Sequence, residues 1–443
     1  MAGDALNLRR NPTLTTPITT FEEACRYLDD LQMHKIKLGL EAMCSTLAAL
    51  GSPEQKCPAV HVAGTNGKGS VCSMLRSVMT TAGYKTGLYT SPHLSSVRER
   101  FRIDEHYISE ADFCRLMETI RQSLGGRQIT YFECTTALAF LWFAENGCDL
   151  VILETGMGGR LDATNVVVPL LSIITTISLD HEQYLGTTIE EVSFEKSGII
   201  KPHVPVLSGV DDSQAQTVIE RTCSERQAPL MQRNTDFWLG RDEDGTWLWR
   251  SATDQVVLNL MDAEQPNLWQ VDNISCAVAA SVLLRSAGFT IGPATIDTAL
   301  AGSTWPGRME LVETELRFLL DGAHNQAGVD CLLNSLPRYR YRHLYVIWAS
   351  MADKSYGDML NDIGRAADVL LLTKPDSERA AEPGDLKSQL RHDEGREVQI
   401  CSTVNEALEL VQKRAGIEDL IVVAGSLYLV GELRKLLVGE VVG

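Results

Sequence analysis

The 443-residue sequence has no Cys-x-x-Cys pair, no run of eighteen apolar residues and no excess of basic charge. Each absence excludes something. Eleven cysteines, scattered and odd in number, exclude a disulfide framework and read as reduced thiols in a cytoplasm. Without a long apolar run nothing spans a membrane, and the N-terminus shows no apolar core of a secretory signal. Forty Lys and Arg against 58 Asp and Glu give a formal net charge of −18, the opposite of the basic footprint that nucleic acid demands. An anionic substrate therefore needs a local positive pocket, because the global field repels it. No long apolar heptad is present either, so a monomer is expected. Nor is there an internal repeat or a low-complexity tract.

What is there begins with His61-Val62-Ala63-Gly64-Thr65-Asn66-Gly67-Lys68-Gly69-Ser70. An apolar run turns through glycines into a helical pattern, with Val71, Met74, Leu75, Val78, Met79 and Ala82 at 3.6-residue spacing. Glycines let the backbone approach an anion, a helix N-terminus offers free N–H groups, and Lys68 adds a full positive charge. The turn reads as a phosphate cradle. Its spacing departs from the common P-loop, which places four residues between its first glycine and Gly-Lys.

The chain is too long for one core, and two domains are expected. Helices should start near Phe21 and Leu40, at the capped starts Ser109 and Thr188, and after Thr130-Tyr131-Phe132-Glu133. Buried strands are expected over 85–89, 149–153, 170–177 and 204–207, alternating with helices as in a parallel sheet. Their carboxyl ends carry polar groups: Ser91-Pro92-His93-Leu94, then Glu154 ahead of a glycine-rich loop to Asn165, then Asp180-His181. Ligands of open α/β sheets collect at that edge, and a carboxylate beside a phosphate turn suits magnesium. Residues 229–260, with Trp238, Trp247 and Trp249, predict antiparallel hairpins. Helices follow over 272–287 and 293–301. Linker composition at 302–307 divides an N-terminal ATP-binding domain, 1–301, from a C-terminal domain, 308–443. In the latter, strands at 316–320, 343–348, 368–373, 398–401 and 420–424 predict a smaller Rossmann-like α/β fold.

Together these motifs resemble the Mur ligase superfamily of ATP-dependent amide-forming ligases, and within it the folylpolyglutamate synthase/dihydrofolate synthase family. The elements carrying the resemblance are the Gly64–Ser70 turn, Ser91-Pro92-His93-Leu94, Tyr131-Phe132-Glu133, Glu154 with Gly158-Gly159-Arg160-Leu161-Asp162-Ala163-Thr164-Asn165, Asp180-His181, Glu195-Lys196-Ser197-Gly198-Ile199, Gly307-Arg308 and Asp321-Gly322-Ala323-His324-Asn325. The chain departs from the pattern in places. Gly69 follows the lysine where cell-wall ligases have Thr. Lys37 stands where some bifunctional members have an acid. Met157 replaces a more usual Leu, and Gln270 with Asn273 keeps part of the usual adenine-side pattern.

The resemblance implies a ligase that adds L-glutamate to folates, and to dihydropteroate, through an acyl phosphate made from ATP, with the active site in the cleft between the two domains. It implies that Thr65, Asn66, Gly67, Lys68, Gly69, Ser70, Asn273, Arg308, Asp321 and His324 hold ATP. Two magnesium ions would fall to Ser70, Ser91, Glu154, His181 and Lys196, the lysine being carbamylated. Lys68, His181, Lys196 and Arg308 would carry the chemistry. The pterin side would be Ile36, Lys37, Leu38 and Gly39 with Thr130, Tyr131, Phe132, Glu133, Leu161, Asp162 and Ala163. Taken singly, several have structural alternatives: Glu154 as partner of Arg160, Lys196 as a surface lysine, Asp321 or His324 as a helix cap. For the whole chain the competing readings are a ligase of the superfamily acting on a non-folate carboxylate and a non-catalytic nucleotide switch.

Overall fold

The computed structural model describes residues 17–32, 39–259, 268–352, 354, 356–391, 397–439 and 441–442. Strands β1 (Ala59–Ala63), β2 (Thr86–Tyr89), β3 (Phe101–Ile103), β4 (His106–Tyr107), β5 (Leu150–Glu154), β6 (Leu171–Ile174), β7 (Val206–Ser208) and β8 (Leu230–Gln232) form one sheet in the order β4-β3-β2-β5-β1-β6-β7-β8. From β2 through β8 all pairs are parallel; β3 and β4 add an antiparallel edge. Every residue of β1, β2, β5 and β6 is buried, as expected for strands covered on both faces.

Alternate residues of these strands enter different cores. Val60, Val62, Ile152 and Ile173 pack under the helices Lys68–Thr81 and Leu268–Ser286. Leu153 and Tyr89 pack under Glu110–Leu124 and Tyr131–Asn146 on the opposite face. The chain leaves β1 for β2 on one side, and after β5 crosses to β6 on the other. The carboxyl end of β1 is thus a topological switch point, flanked by the ends of β5 and β6.

A three-stranded antiparallel sheet of β9 (Phe237–Arg241), β10 (Trp247–Ser251) and β11 (Gln255–Leu258) braces this lobe. Trp249 is fully buried there and donates its indole N–H to the Ser275 carbonyl at 3.1 Å. A second sheet holds β12 (Glu310–Glu313), β13 (Arg317–Leu320), β14 (Leu344–Trp348), β15 (Val369–Leu372), β16 (Glu397–Ile400) and β17 (Leu420–Ala424) in the order β12-β13-β17-β14-β15-β16. It is parallel apart from β12. Residues 302–309 run between the two sheets.

The mixed α/β architecture is the expected one, and Ser109 and Thr188 cap their helices; Thr130 is a cap as well, so its helix starts at Tyr131, inside the segment expected to precede it. Four elements differ. Residues 230–232 extend the parallel sheet instead of joining the hairpins. The β3–β4 hairpin, the helix Ser213–Arg226 and the antiparallel β12 were not foreseen. Of the irregular arm expected over 1–19, residues 1–16 lie outside the described ones. Among the described residues no helix is long and apolar enough to cross a membrane, and all eleven cysteines are free thiols.

Candidate active site

The turn after β1 is strapped to the end of β6. Thr65 N–H donates to the Thr176 carbonyl at 2.8 Å, Asn66 N–H to Thr176 Oγ1 at 2.9 Å, and Thr175 Oγ1 to the Asn66 carbonyl at 2.6 Å. Gly64 has φ +153°, and a Cβ on it would fall 1.9 Å from Thr175 Oγ1. Only glycine fits. Gly64→Ala is expected to cost about 2–4 kcal/mol in left-handed strain and overpacking, read as a lower unfolding temperature; an unchanged transition would mean that the strap is not rigid. Gly67, at φ +83°, precedes the helix Lys68–Thr81, and no side chain caps the helix. Its first N–H groups therefore remain available to an anion.

Two lysines meet at this turn. Lys68 Nζ donates to the carbonyls of Gly64 at 3.0 Å and Thr65 at 3.1 Å. Lys196, on the helix Ile189–Ser197, reaches the same Gly64 carbonyl at 2.9 Å. Lys196 is 4 % exposed, so it is no surface lysine. Burial, with the charge of Lys68, pushes its pKa down to about 7. At neutral pH a large share of this amine carries a free lone pair.

Glu154, the last residue of β5, is buried, which raises its pKa; Lys68, the Ser91 N–H, Arg308 and Arg100 pull the other way. It accepts the Ser91 N–H at 3.1 Å. The alternative pairing with Arg160 is not found: Arg160 bonds Glu195 at 2.8 Å. Ser91 Oγ is buried without a hydrogen-bond partner. A carboxylate and an orphaned hydroxyl are hard oxygen donors, a set that fits Mg²⁺, which takes few protein ligands and completes its shell with water and phosphate. Among the described residues no group of three His, Cys, Asp or Glu is placed to hold a metal.

The second sheet closes the cleft. Arg308 follows Gly307, and its Nη1 lies over Gly322, where a Cβ would come within 2.2 Å. Its charge acts on Glu154 from one side and on buried Asp321 from the other. Asp321 accepts N–H bonds from Met309 and Ala323, both at 2.9 Å, and thereby shapes the 307–323 corner. The cap of the next helix is Asn325, not Asp321 or His324. Gly69, Ser91, Glu154, Trp305, Arg308 and Leu427 line the resulting cleft. The Trp305 indole lies against Gly69, where a Cβ would be 3.0 Å from Nε1.

A polar junction joins the sheets beside the turn. Asn66 and Asn325 exchange amide hydrogen bonds at 3.1 and 3.0 Å. Lys354 Nζ pairs with Asp180, while the imidazoles of His181 and His324 lie 3.7 and 3.6 Å from that carboxylate. Burial alone would raise the Asp180 pKa; the close approach of His324 and the charges of its basic neighbours overcome this and hold it well below the carboxylate range. The His181 side chain is 42% exposed; the protein packed around it and the charges of Lys354, His324 and Lys68 favour the neutral imidazole, against the pull of Asp180.

On the pterin side, Ile36, Lys37 and Leu38 lie outside the described residues; Gly39 is at φ +141°. Tyr131 and Phe132 pack against the buried cluster holding Met43, Leu47 and Ala163. Phe132 covers Gly156, where a Cβ would meet its ring at 2.6 Å. Thr130 and Glu133 form a capping box, and Leu161 is half-buried. Asp162 accepts bonds from the N–H groups of Gly156, Met157 and Thr164 and from Thr164 Oγ1. Its carboxylate therefore folds the loop. Asn273 is buried against Gly67, bracing the turn. Sequence reasoning missed Arg100, whose guanidinium lies 5.3 Å from the Tyr131 ring centre and donates to His93 Nδ1 at 2.9 Å. It also missed Lys354 and the Thr175-Thr176 strap, although two threonines closing an apolar strand were a visible signal.

A family model described as Mur ligase middle domain matches residues 62–232, and one described as Mur ligase, glutamate ligase domain matches 307–427. The class is therefore that of the Mur ligases, ATP-dependent ligases built from these two units. The dihydrofolate synthase/folylpolyglutamate synthase of Bacillus subtilis is 32% identical over 431 residues, covering 94% of this chain and 99% of that protein. The folylpolyglutamate synthase of Lacticaseibacillus casei is 31% identical over 408 residues, or 89% and 93% of the two chains. A structure of Escherichia coli FolC in complex with DHPP and ADP aligns at a TM-score of 0.85 and 28% identity, over 95% of this chain and 99% of that one. The bifunctional folylpolyglutamate synthase/dihydrofolate synthase of Yersinia pestis, complexed with AMPPNP and Mn ion, gives 0.85 and 29% over 97% and 100%. This chain belongs to the folylpolyglutamate synthase/dihydrofolate synthase family of ATP-dependent ligases.

Proposed function

We propose that the chain joins the amine of L-glutamate to a carboxylate of tetrahydrofolates and, in a second activity, of dihydropteroate. The γ-phosphoryl group of ATP passes to the substrate carboxylate, giving an acyl phosphate and ADP. The glutamate amine then attacks the acyl carbon, and inorganic phosphate leaves. The observation that carries this reading is buried Glu154, acted on by Lys68 from the first sheet and by Arg308 from beside the second. In it, Thr65 to Ser70 receive the phosphates, and Lys68 and Arg308 balance charge on the group in transfer. Asn273 steadies the turn at the nucleotide, while Asp321 and His324 shape its far wall. Thr130 to Glu133 and Leu161 to Ala163 receive the pterin side with the 36–39 loop.

Ser91, Glu154 and His181 would hold magnesium, with Ser70 a further ligand of one ion and a carbamylated Lys196 a ligand of the second. Bound there, magnesium supplies charge neutralisation at the phosphoryl oxygens. A lysine whose pKa is about 7 is partly neutral and can add CO₂, which turns a cation into an anionic oxygen ligand. Domains meeting at 302–307, with the reaction in the cleft, would keep water from the acyl phosphate. We further propose a cytoplasmic monomer, in keeping with eleven free thiols.

Magnesium-dependent ADP release, driven by L-glutamate with either dihydropteroate or tetrahydrofolate as acceptor, tests this. Turnover with both is the expected result. Turnover with tetrahydrofolate alone would restrict the chain to polyglutamylation and implicate the loop bearing Lys37. No turnover with either would leave a non-folate carboxylate as the substrate.

A further inference from the structure

We infer that Leu94 is a positioning residue: seated between Gly307 and Gly431 beside the second sheet, it holds Ser91 in register with Glu154. Leu94 follows β2 of the first sheet, yet its side chain packs on the second lobe's buried cluster of Phe318, Leu320, Leu429, Val430 and Leu433. The socket is cut for it. Gly431 stands within the helix Leu427–Val438, where glycine weakens a helix. A Cβ there would lie 2.2 Å from the Leu94 carbonyl oxygen and 2.7 Å from its carbon. Gly307 has φ +69°, and a Cβ would touch Val430 at 3.0 Å and the Leu94 methyls at 3.2 Å. Gly431 admits the backbone of residue 94 and Gly307 its side chain, so one residue approaching from the opposite lobe explains both glycines.

Only Pro92 and His93 separate this socket from Ser91, and His93 Nδ1 is held by the Arg100 guanidinium at 2.9 Å, while a carboxylate fixes Leu94 itself and the two residues after it. The Glu99 carboxylate accepts the N–H of Leu94 at 2.7 Å, of Ser95 at 2.9 Å and of Ser96 at 2.8 Å, together with the Ser95 hydroxyl at 2.7 Å. Three residues upstream, Ser91 bonds Glu154 through its N–H and keeps an unpartnered, buried hydroxyl. A shift at Leu94 therefore passes to Ser91. Through this contact the second lobe reaches the Ser91–Glu154 pair without touching it. The inference rests on the reading of that pair as the metal and phosphoryl side of the site.

The test uses the full chain, with Leu94→Ala, Gly431→Ala and the bulk-restoring Leu94→Met. Three quantities are measured: kcat for glutamate-dependent ADP release, the affinity for Mn²⁺ in the presence of ADP, and the affinity for ADP alone. A displaced ligand of this kind costs on the order of 10- to 100-fold. We expect Leu94→Ala and Gly431→Ala to lose about that much in kcat and about tenfold in Mn²⁺ affinity. ADP affinity should hold, both variants should melt somewhat lower, and Leu94→Met should recover most of the loss. Wild-type Mn²⁺ affinity in Leu94→Ala overturns the inference. So does a loss that tracks ADP affinity and unfolding temperature and is not recovered by methionine, because that describes support of the fold alone. A wild-type chain that binds Mn²⁺ with ADP yet turns over no folate rejects the folate reading, while the Mn²⁺ shift still decides the role of Leu94. If the wild type binds no Mn²⁺, the reading of Ser91 and Glu154 falls, and the inference with it.

Discussion

Lys68→Ala is expected to lower glutamate-dependent ADP release by at least ~10³-fold while leaving the fold intact, since removal of one charge-stabilising donor at a phosphoryl or oxyanion site costs two to three decades or more. Two observations set that size. The ammonium group acts electrostatically on Glu154, His181 and Lys196, so it stands at the middle of the site. Its hydrogen bonds go only to carbonyls of its own turn, and Gly64 keeps Lys196 as a donor when Lys68 is gone. A charge that serves the ligand more than the fold can be removed without unfolding the protein. Steady-state kinetics beside a thermal melt would decide the matter. A variant within tenfold of the wild type would show that the turn does not bear on the transferred phosphate.

Lys196→Met should abolish turnover and, in CO₂-free buffer at pH 6, make the protein more stable. The sign follows from the protons bound. The free side chain titrates at 10.5 and the buried one at about 7. Between those values the unfolded chain holds a proton that the folded chain has released, so stability rises with pH across that window. Below pH 7 both states are charged, and the fold carries the full cost of a buried ammonium group. Methionine removes that cost and keeps most of the volume, for a gain of about 1–4 kcal/mol. The gain should shrink toward pH 10. Wild-type turnover should fall as pH drops below about 7, where the amine is protonated, and should rise with added bicarbonate at fixed pH. A methionine variant less stable than the wild type at pH 6, or one that retains activity, would contradict this account.

Much of the architecture was legible because buried parallel strands leave long apolar runs. The strands β1, β5, β6, β14 and β17 all announce themselves this way. The β3–β4 hairpin did not, because Phe101 and Ile103 alternate with Arg102 over only three residues. β8 is equally short, and the tryptophan-rich hairpins that follow drew it into the wrong sheet. The helix Ser213–Arg226 buries only Ala215, Val218, Ile219 and Cys223 among polar residues, too sparse a stripe to stand out. In the site, each strand-end motif was visible where it stood. Which motifs touch was not. Asp180 meets His324 and Lys354 across more than 140 positions of sequence, and neither spacing nor periodicity encodes that meeting. Asp162 shows the reverse case, a carboxylate singled out beside the substrate that spends its oxygens on its own loop.

The reciprocal amide pair of Asn66 and Asn325 bears on how this enzyme could be recombined. Each side chain is donor and acceptor to the other, so a change in either alone removes both bonds across the junction at once. The partners lie on opposite sides of 302–309, the stretch where a crossover with a relative would most naturally be made. A hybrid that joins one parent's first lobe to another's second inherits a working junction only if both parents hold an amide at both places. Compatibility of the halves is thus written in two residues, and a library of such hybrids could be sorted on those positions before any is expressed.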